Sequence, residues 1–309
     1  MSAPATPCLV GPTACGKSEV ALACARATQG EVISCDAFAV YRGLRLLSAA
    51  PQAPPDVPHH LVGLLEAAQR TSAAEFVADA DRLVAAVLAR GRRPWIVGGT
   101  ALYLRCWLKG MGTAAARDEA LRARLAAESA TQGPQALHAR LAALDPARAA
   151  QLHPHDERRI VRALEIIAST GRPASALRQE WDAPDRVRAR VVGLRRSPED
   201  LDRRIAARSA QMVAQGVLEE ARAFLAAGPS PEARKALGLD LLAGVLAGTH
   251  TLATAEQGLA QLTRRFARRQ MTFFRGFDAI AWLDVPPDEP AATTAARVLR
   301  LLEEEAPPA

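Results

Sequence analysis

The chain has 309 residues, 49% of them hydrophobic, enough for one sizeable core and a smaller appendage. Its net charge of +6 permits a polyanionic partner without requiring one, since an arginine-rich composition gives the same surface. No apolar run approaches the ~20 residues of a membrane span, and the five cysteines (Cys8, Cys15, Cys24, Cys35 and Cys106) lack metal-ligand spacing. A cytoplasmic protein with reduced thiols and no membrane association is expected.

Residues 6–10 predict a short apolar strand. Gly11-Pro12-Thr13-Ala14-Cys15-Gly16-Lys17-Ser18 follows, with two glycines flanking four residues, then a lysine and a hydroxyl. Residues 19–27 continue as a helix with Val20, Cys24 and Ala27 at helical spacing. That order is what a phosphate loop requires. The glycines let successive N–H groups turn inward on an anion, the helix adds its positive end, Lys17 neutralises phosphate oxygens, and Ser18 can hold a magnesium ion. Lysine is confined to Lys17, Lys109 and Lys235 among 39 basic residues, so its place in this slot favours a compact charge on phosphate. Cys15 is expected as a small filler facing away. A signal peptide is not expected before a loop that starts at Gly11.

Residues 31–35 predict a second strand, ended by Asp36. A carboxylate at the carboxyl end of a parallel strand shares the sheet edge with the phosphate loop, where ligands bind. Asp36 is therefore a candidate for magnesium binding, for taking a proton, or for capping a helix. Pro51, Pro54, Pro55 and Pro58 force an extended loop. Ser72-Ala73-Ala74-Glu75 reads as a capping box, and Phe76, Ala80, Leu83, Val84, Val87 and Leu88 mark one face of its helix, which Gly91 ends. Residues 95–97 read as a buried strand, and Gly98-Gly99-Thr100 opens another helix, so Thr100 is a second candidate substrate contact. No aspartate ends this strand, which argues against an ATP-hydrolysing motor.

Residues 117–181 read as helical, without strand signal. Arg158, Arg159 and Arg162 lie opposite Ile160, Leu164 and Ile167 on one helix, stopped by Gly171 and Pro173. The sheet resumes at 189–194, and Ser197-Pro198 starts a further helix. A long helix over 254–275 carries Leu259, Leu262, Phe266 and Phe273 on one face. Its other face carries Arg264, Arg265, Arg268 and Arg275, a basic stripe able to follow a phosphate backbone. His59-His60 and His153-Pro154-His155 lack acids or cysteines to complete a metal site, so capping or core roles are expected.

Taken in order, these blocks resemble the tRNA dimethylallyltransferase (tRNA isopentenyltransferase) family. The likeness rests on Gly11 to Ser18, Ile33-Ser34-Cys35-Asp36 with Tyr41-Arg42-Gly43, His59-His60-Leu61 and Val97-Gly98-Gly99-Thr100 with Leu102-Tyr103. It continues through His153-Pro154 with Asp156, Arg158-Arg159-Ile160-Val161-Arg162, and Thr263-Arg264-Arg265-Phe266-Ala267-Arg268-Arg269-Gln270. The implied fold is α/β: a P-loop NTPase-like parallel sheet flanked by helices, with an all-α inserted domain. The implied division is a catalytic core over 1–113 and 186–309 and a helical tRNA-binding insert over 114–185.

The resemblance implies transfer of the dimethylallyl group of dimethylallyl diphosphate to N6 of the adenosine 3′-adjacent to the anticodon in tRNA. Gly11, Pro12, Thr13, Ala14, Cys15, Gly16, Lys17 and Ser18 would bind the diphosphate, with Mg2+ near Ser18. Asp36 corresponds to the general base and Thr100 to a contact with the target nucleotide. Asp36, Ala37, Phe38, Ala39, Thr100, Arg122, Arg158, Arg159, Ile160, Val161 and Arg162 are the implied tRNA contacts. A monomer acting on the anticodon stem-loop is expected. The chain departs from the family at three places. Asp36-Ala37-Phe38-Ala39 replaces Asp-Ser-x-Gln, Leu47-Ser48-Ala49-Ala50-Pro51 replaces Gly-Thr-Ala-Lys-Pro, and Leu237-Gly238-Leu239-Asp240-Leu241 replaces Ile-Gly-Tyr-Lys-Glu. A small-molecule kinase, a transferase acting on free adenine nucleotide and a nonenzymatic tRNA-binding protein are the alternatives.

Overall fold

A computed structural model describes residues 5–52, 54–110, 118–179, 184–277 and 279–304. The chain divides into two compact units, Met1–Trp107 with Arg188–Ala309, and Leu108–Val187. The expected boundary at 113/114, both ends of the 117–181 helical stretch and the proline-rich tail lie outside the described residues.

The larger unit is built on a parallel sheet of β1 (Thr6–Val10), β2 (Gly30–Ser34), β3 (His59–His60), β4 (Arg93–Gly98), β5 (Ala189–Arg195) and β6 (Ile280–Asp284). The order is β3-β2-β4-β1-β5-β6, so β1 lies inside the sheet between β4 and β5. β1 and β2 are buried at every position, as strands covered by helices on both faces must be. Strand residues of one parity, Leu9, Val32, Trp95, Val97, Val192, Leu194 and Leu283, form one core. It packs against Val20, Ala21 and Cys24 of α1 (Lys17–Ala27) and Val298 and Leu302 of α13 (Ala291–Glu304).

Between these strands run α2 (Ala73–Ala89) and α3 (Ala101–Lys109), and after β5 come α9 (Pro198–Ala214), α10 (Val217–Ala226), α11 (Leu239–Leu246) and α12 (Leu252–Phe274). Ser72 caps α2, its hydroxyl accepting from the Glu75 N–H at 3.3 Å. Thr251 and Thr254 form the capping box of α12, and Ser197 caps α9 with Pro198 in its first turn.

The smaller unit, among the described residues, is helical: α4 (Glu119–Gln132), α5 (Pro134–Leu144), α6 (Pro146–Ala149), α7 (Glu157–Thr170) and α8 (Ala174–Gln179). Leu121, Leu125, Leu137, Leu141, Ile160 and Leu164 form its core. All five cysteines are free and buried. Among the described residues no helix is long and apolar enough to cross a membrane.

Of the apolar face expected on α12, Leu259 is buried, Leu262 and Phe266 are half-buried and Phe273 is exposed; α12 also buries Ala255, Ala260, Ala267, Gln270 and Phe274. Ala260 and Ala267 pack with Ile205 of α9 and Ala14 of the glycine loop, where small side chains allow close approach. The phenylalanines turn to a cavity.

Candidate active site

β1 ends at Val10, and the loop turns at Gly11, whose φ is +141° and where a Cβ would stand 2.5 Å from the Leu194 carbonyl oxygen. Ala14 (φ +66°) and Gly16 (φ +95°) also lie in the left-handed region, curling the segment before α1 begins at Lys17. Gly16 offers α1 no side-chain cap, so the first-turn N–H groups and the helix dipole are suited to an anion. Lys17 Nζ donates to the Gly11 and Pro12 carbonyls at 2.9 and 2.7 Å, anchoring its charge over the loop. Cys15 is buried in the core beneath, as a filler.

The glycines after β4 let two strand ends converge. A Cβ on Gly98 would collide with the Cys35 carbonyl, and Cys35 donates its N–H to the Val97 carbonyl at 2.7 Å. The Thr100 N–H then donates to the Cys35 carbonyl at 3.2 Å, and its hydroxyl accepts from the Ala37 N–H at 3.2 Å. Asp36 caps a turn rather than a helix. Its Oδ1 accepts from the N–H groups of Phe38 (2.8 Å) and Ala39 (3.1 Å), which fixes the carboxylate. Thr100 and Asp36, read as candidates from two separate strands, are thus brought to one turn.

Arginines from the segment after β5 surround the loop, and the sequence reading did not single them out. Arg196 Nε donates to the Cys15 carbonyl (2.9 Å), Arg204 Nε to the Ala14 carbonyl (2.8 Å), and Arg208 to the Thr13 hydroxyl (2.9 Å). Burial, reinforced by Arg204 nearby, pulls the Arg208 pKa down from its ordinary value. Arg196 follows the carboxyl end of a strand, and Arg204 and Arg208 are four apart on a helix; these two signals could have found them.

The parts open on one cavity of about 550 Å³. Thr13, Lys17, Ser18, Arg204 and Arg208 line the side next to the glycine loop, Asp36 and Thr100 another, and Phe38, Met212, Phe266 and Phe273 supply apolar wall. Ala37, Ala39, Ala49 and Ala50 line it too, as does Lys235.

The helical unit separates the expected RNA contacts by environment. Glu165 is fully buried and accepts from Arg122 at 2.9 and 2.8 Å, from Arg162 at 2.7 Å and from the Asp118 N–H at 2.8 Å. Burial pushes its carboxyl up, but the hydrogen bonds from Arg122 and Arg162 outweigh this and hold it down at about 2. Ile160 is buried in the helical core, so its side chain does not face solvent, and Val161 packs partly against that core. Arg158 and Arg159 are exposed.

A glycine cradle at the end of the first strand, a carboxylate at the end of the second and a cavity joining them define a phosphate-loop-like α/β protein. The IPP transferase family model matches residues 39–277. The chain is 39% identical to the tRNA dimethylallyltransferase of Geobacter sulfurreducens over 93% of this chain and 94% of that one. It is 44% identical to the tRNA dimethylallyltransferase of Anaeromyxobacter sp. strain Fw109-5 over 91% and 94%. Its fold matches the full-length tRNA isopentenylpyrophosphate transferase of Bacillus halodurans with a TM-score of 0.70 at 34% identity, covering 98% of each chain. The chain belongs to the IPP transferase family.

Proposed function

We propose that the protein transfers a dimethylallyl group from dimethylallyl diphosphate to N6 of the adenosine 3′-adjacent to the anticodon in tRNA, releasing diphosphate. The observation that carries this reading is the single cavity lined by both the anion cradle and Asp36 with Thr100. The likeness to proteins named tRNA dimethylallyltransferase supports it.

The allylic C–O bond breaks with its electron pair going to the diphosphate, the N6 lone pair bonds to the allylic carbon, and N6 gives up one proton. Loop N–H groups, Lys17, Arg204 and Arg208 bind the leaving diphosphate and stabilise its growing charge. Asp36, oriented by its own turn, accepts the proton, a contribution typically worth ~10² to 10⁴ in rate. Thr100 positions the target nucleotide beside it, and the apolar wall holds the dimethylallyl chain. Ser18 and Asp36 are hard oxygen donors of the kind Mg2+ takes, and Ser18 with the diphosphate oxygens would hold the ion, which supplies further neutralisation of the leaving group. To reach Asp36 the adenine leaves the anticodon-loop stack.

The helical insert, expected over 114–185, contacts the tRNA on the face built by the Arg158 to Arg162 segment and Arg122. Arg158 and Arg159 reach phosphate, while Arg122 and Arg162 hold the surface in shape. The protein acts as a cytoplasmic monomer, a setting that suits five buried free thiols.

The test is incubation with Mg2+, dimethylallyl diphosphate and unmodified tRNA, with AMP as a rival acceptor and ATP as a rival donor, read by the mass of the product. Prenylated tRNA is expected. A prenylated mononucleotide alone, or a phosphorylated product, sinks the reading. Asp36→Ala is expected to lower kcat by ~10² to 10⁴ with tRNA affinity within about threefold.

A further inference from the structure

Gln270 lies on α12, among arginines, yet it is buried. Its Oε1 accepts from the Thr13 N–H of the phosphate loop at 2.8 Å, and its Nε2 donates to the Gly99 carbonyl at 2.9 Å. These partners lie 257 and 171 residues away in the chain. One partner is a backbone donor and the other a backbone acceptor, so only a side chain carrying both functions satisfies them, and the amide orientation is fixed by them. Glutamate lacks the donor, methionine lacks both, and asparagine is one methylene shorter.

Gly99 is shaped to this side chain, since a Cβ there would collide with Nε2 of Gln270. From Gly99 the connections run on. Thr100 follows directly, its N–H donates to the Cys35 carbonyl, and its hydroxyl accepts from the Ala37 N–H beside Asp36. On the other side, Thr13 is also held by Arg208 through its hydroxyl.

We propose that Gln270 is a positioning residue for the reaction, a clamp that sets the phosphate loop and the Gly99-Thr100 turn at one spacing and so aligns the leaving diphosphate with the group that attacks. Gln270 lines the same cavity as the loop and Thr100, and its positioning role is carried by the bonds it makes to Thr13 and Gly99. Alignment of this kind acts on kcat more than on binding, because each half of the site still holds its own ligand when the spacing between them loosens.

The proposal rests on the prenyl-transfer reading, and two measurements separate their fates. Gln270→Met keeps the length and packing of the side chain and removes both hydrogen bonds; Gly99→Ala leaves Gln270 intact and drives a methyl into it. In steady-state transfer to unmodified tRNA, each is expected to lower kcat by ~10- to 100-fold with both KM values within about threefold. The double variant is expected to be no worse than the weaker single one, since both break the same link. Unchanged kcat with only a lower melting temperature, or losses that multiply in the double variant, overturns the clamp.

Hydrogen exchange with inorganic pyrophosphate needs no turnover. In the wild-type protein pyrophosphate is expected to protect amides of residues 11–18 and also of 99–101; in Gln270→Met only the first group. Equal protection of 99–101 in both proteins, or none in the wild type, overturns the clamp. Coupled protection in a wild-type protein that transfers no prenyl group would overturn the functional reading and leave the clamp standing.

Discussion

The arginines at the glycine loop and those around Glu165 face opposite electrostatic tasks, each within its own unit. Arg204 and Arg208 donate to a carbonyl and a hydroxyl, neutral acceptors that orient a guanidinium without cancelling its charge. Arg122 and Arg162 share one buried carboxylate, which cancels half of their combined charge and ties both guanidinium groups into the fold. The same residue type therefore keeps its charge beside the cavity in one place and forms an internal tie in the other. What decides is the partner's charge. Arg196 stands between the cases: it holds the Cys15 carbonyl and also pairs with buried Asp200 at 2.8 Å, so it shapes the loop while its charge is spent locally.

The comparison is broken most directly by removing the loop arginines. Arg204→Ala with Arg208→Ala is expected to lower kcat/KM for dimethylallyl diphosphate by roughly 10² to 10⁴, from two charge-assisted hydrogen bonds of ~1.5–3 kcal/mol each. The melting temperature should move little. Isothermal titration with inorganic pyrophosphate and a thermal melt check both halves. A large loss of stability with unchanged pyrophosphate affinity would make these arginines ties like those at Glu165.

Glu165→Ala is the mirror experiment. It leaves two half-buried guanidinium groups and the Asp118 N–H without their acceptor, and unfolding stability should fall by about 2–4 kcal/mol. Pyrophosphate affinity should stay as in the wild type. Denaturant titration followed by circular dichroism reads the first, calorimetry the second.

Acid sharpens the same contrast. The Glu165 carboxyl sits at about 2 in the folded chain, below the ordinary 4.5. Its contribution is therefore present above about pH 4.5 and is lost as pH falls toward 2. The difference corresponds to about 3 kcal/mol at neutral pH. Stability measured from pH 6 down to pH 2 should fall more steeply in the wild type than in Glu165→Gln, whose curve lacks this part. Parallel curves would show that the carboxylate gains nothing from its arginines.

What could be read along the chain was what short segments encode. The strand, loop and helix at 6–27 were legible because glycine conformation, lysine chemistry and helical spacing all act within a few residues. Asp36 and Thr100 were legible because a strand's carboxyl end is known from the strand itself. The link between them, through Cys35 and Ala37, was not, since it depends on β2 and β4 lying side by side. Gln270 was seen only as part of a matching block; both its partners are more than 150 residues away. Helical periodicity puts Phe266 and Phe273 on one apolar face with Leu259, but it cannot tell a packed neighbour from a cavity, which both of them line. His60, expected in a core or capping role, is instead half-buried on β3 and paired with the buried Glu31, 2.6 Å from its Nε2.

The smallest effect, and the finest test of the comparison, concerns Arg158 and Arg159. Both are exposed on α7, and Arg159 lies 3.3 Å from Asp156 in a solvent-screened pair that is worth little. Their charge thus remains available for phosphate, unlike that of Arg122 and Arg162. If they contact the tRNA backbone, Arg158→Ala and Arg159→Ala should each reduce the slope of log K against log salt by about one, because one fewer counterion is released per lost phosphate contact. The losses should be uniform across tRNAs, with melting temperature unmoved. Arg122→Ala should do the reverse, leaving the salt slope near its wild-type value while lowering stability, because buried Glu165 keeps only Arg162 and the Asp118 N–H. Filter binding of unmodified tRNA across a salt series, beside a thermal melt, distinguishes the two. An unchanged slope in Arg158→Ala and Arg159→Ala would make that face of α7 a solvated helix surface, and the distinction between charge held for a ligand and charge spent on the fold would then apply only to the glycine loop.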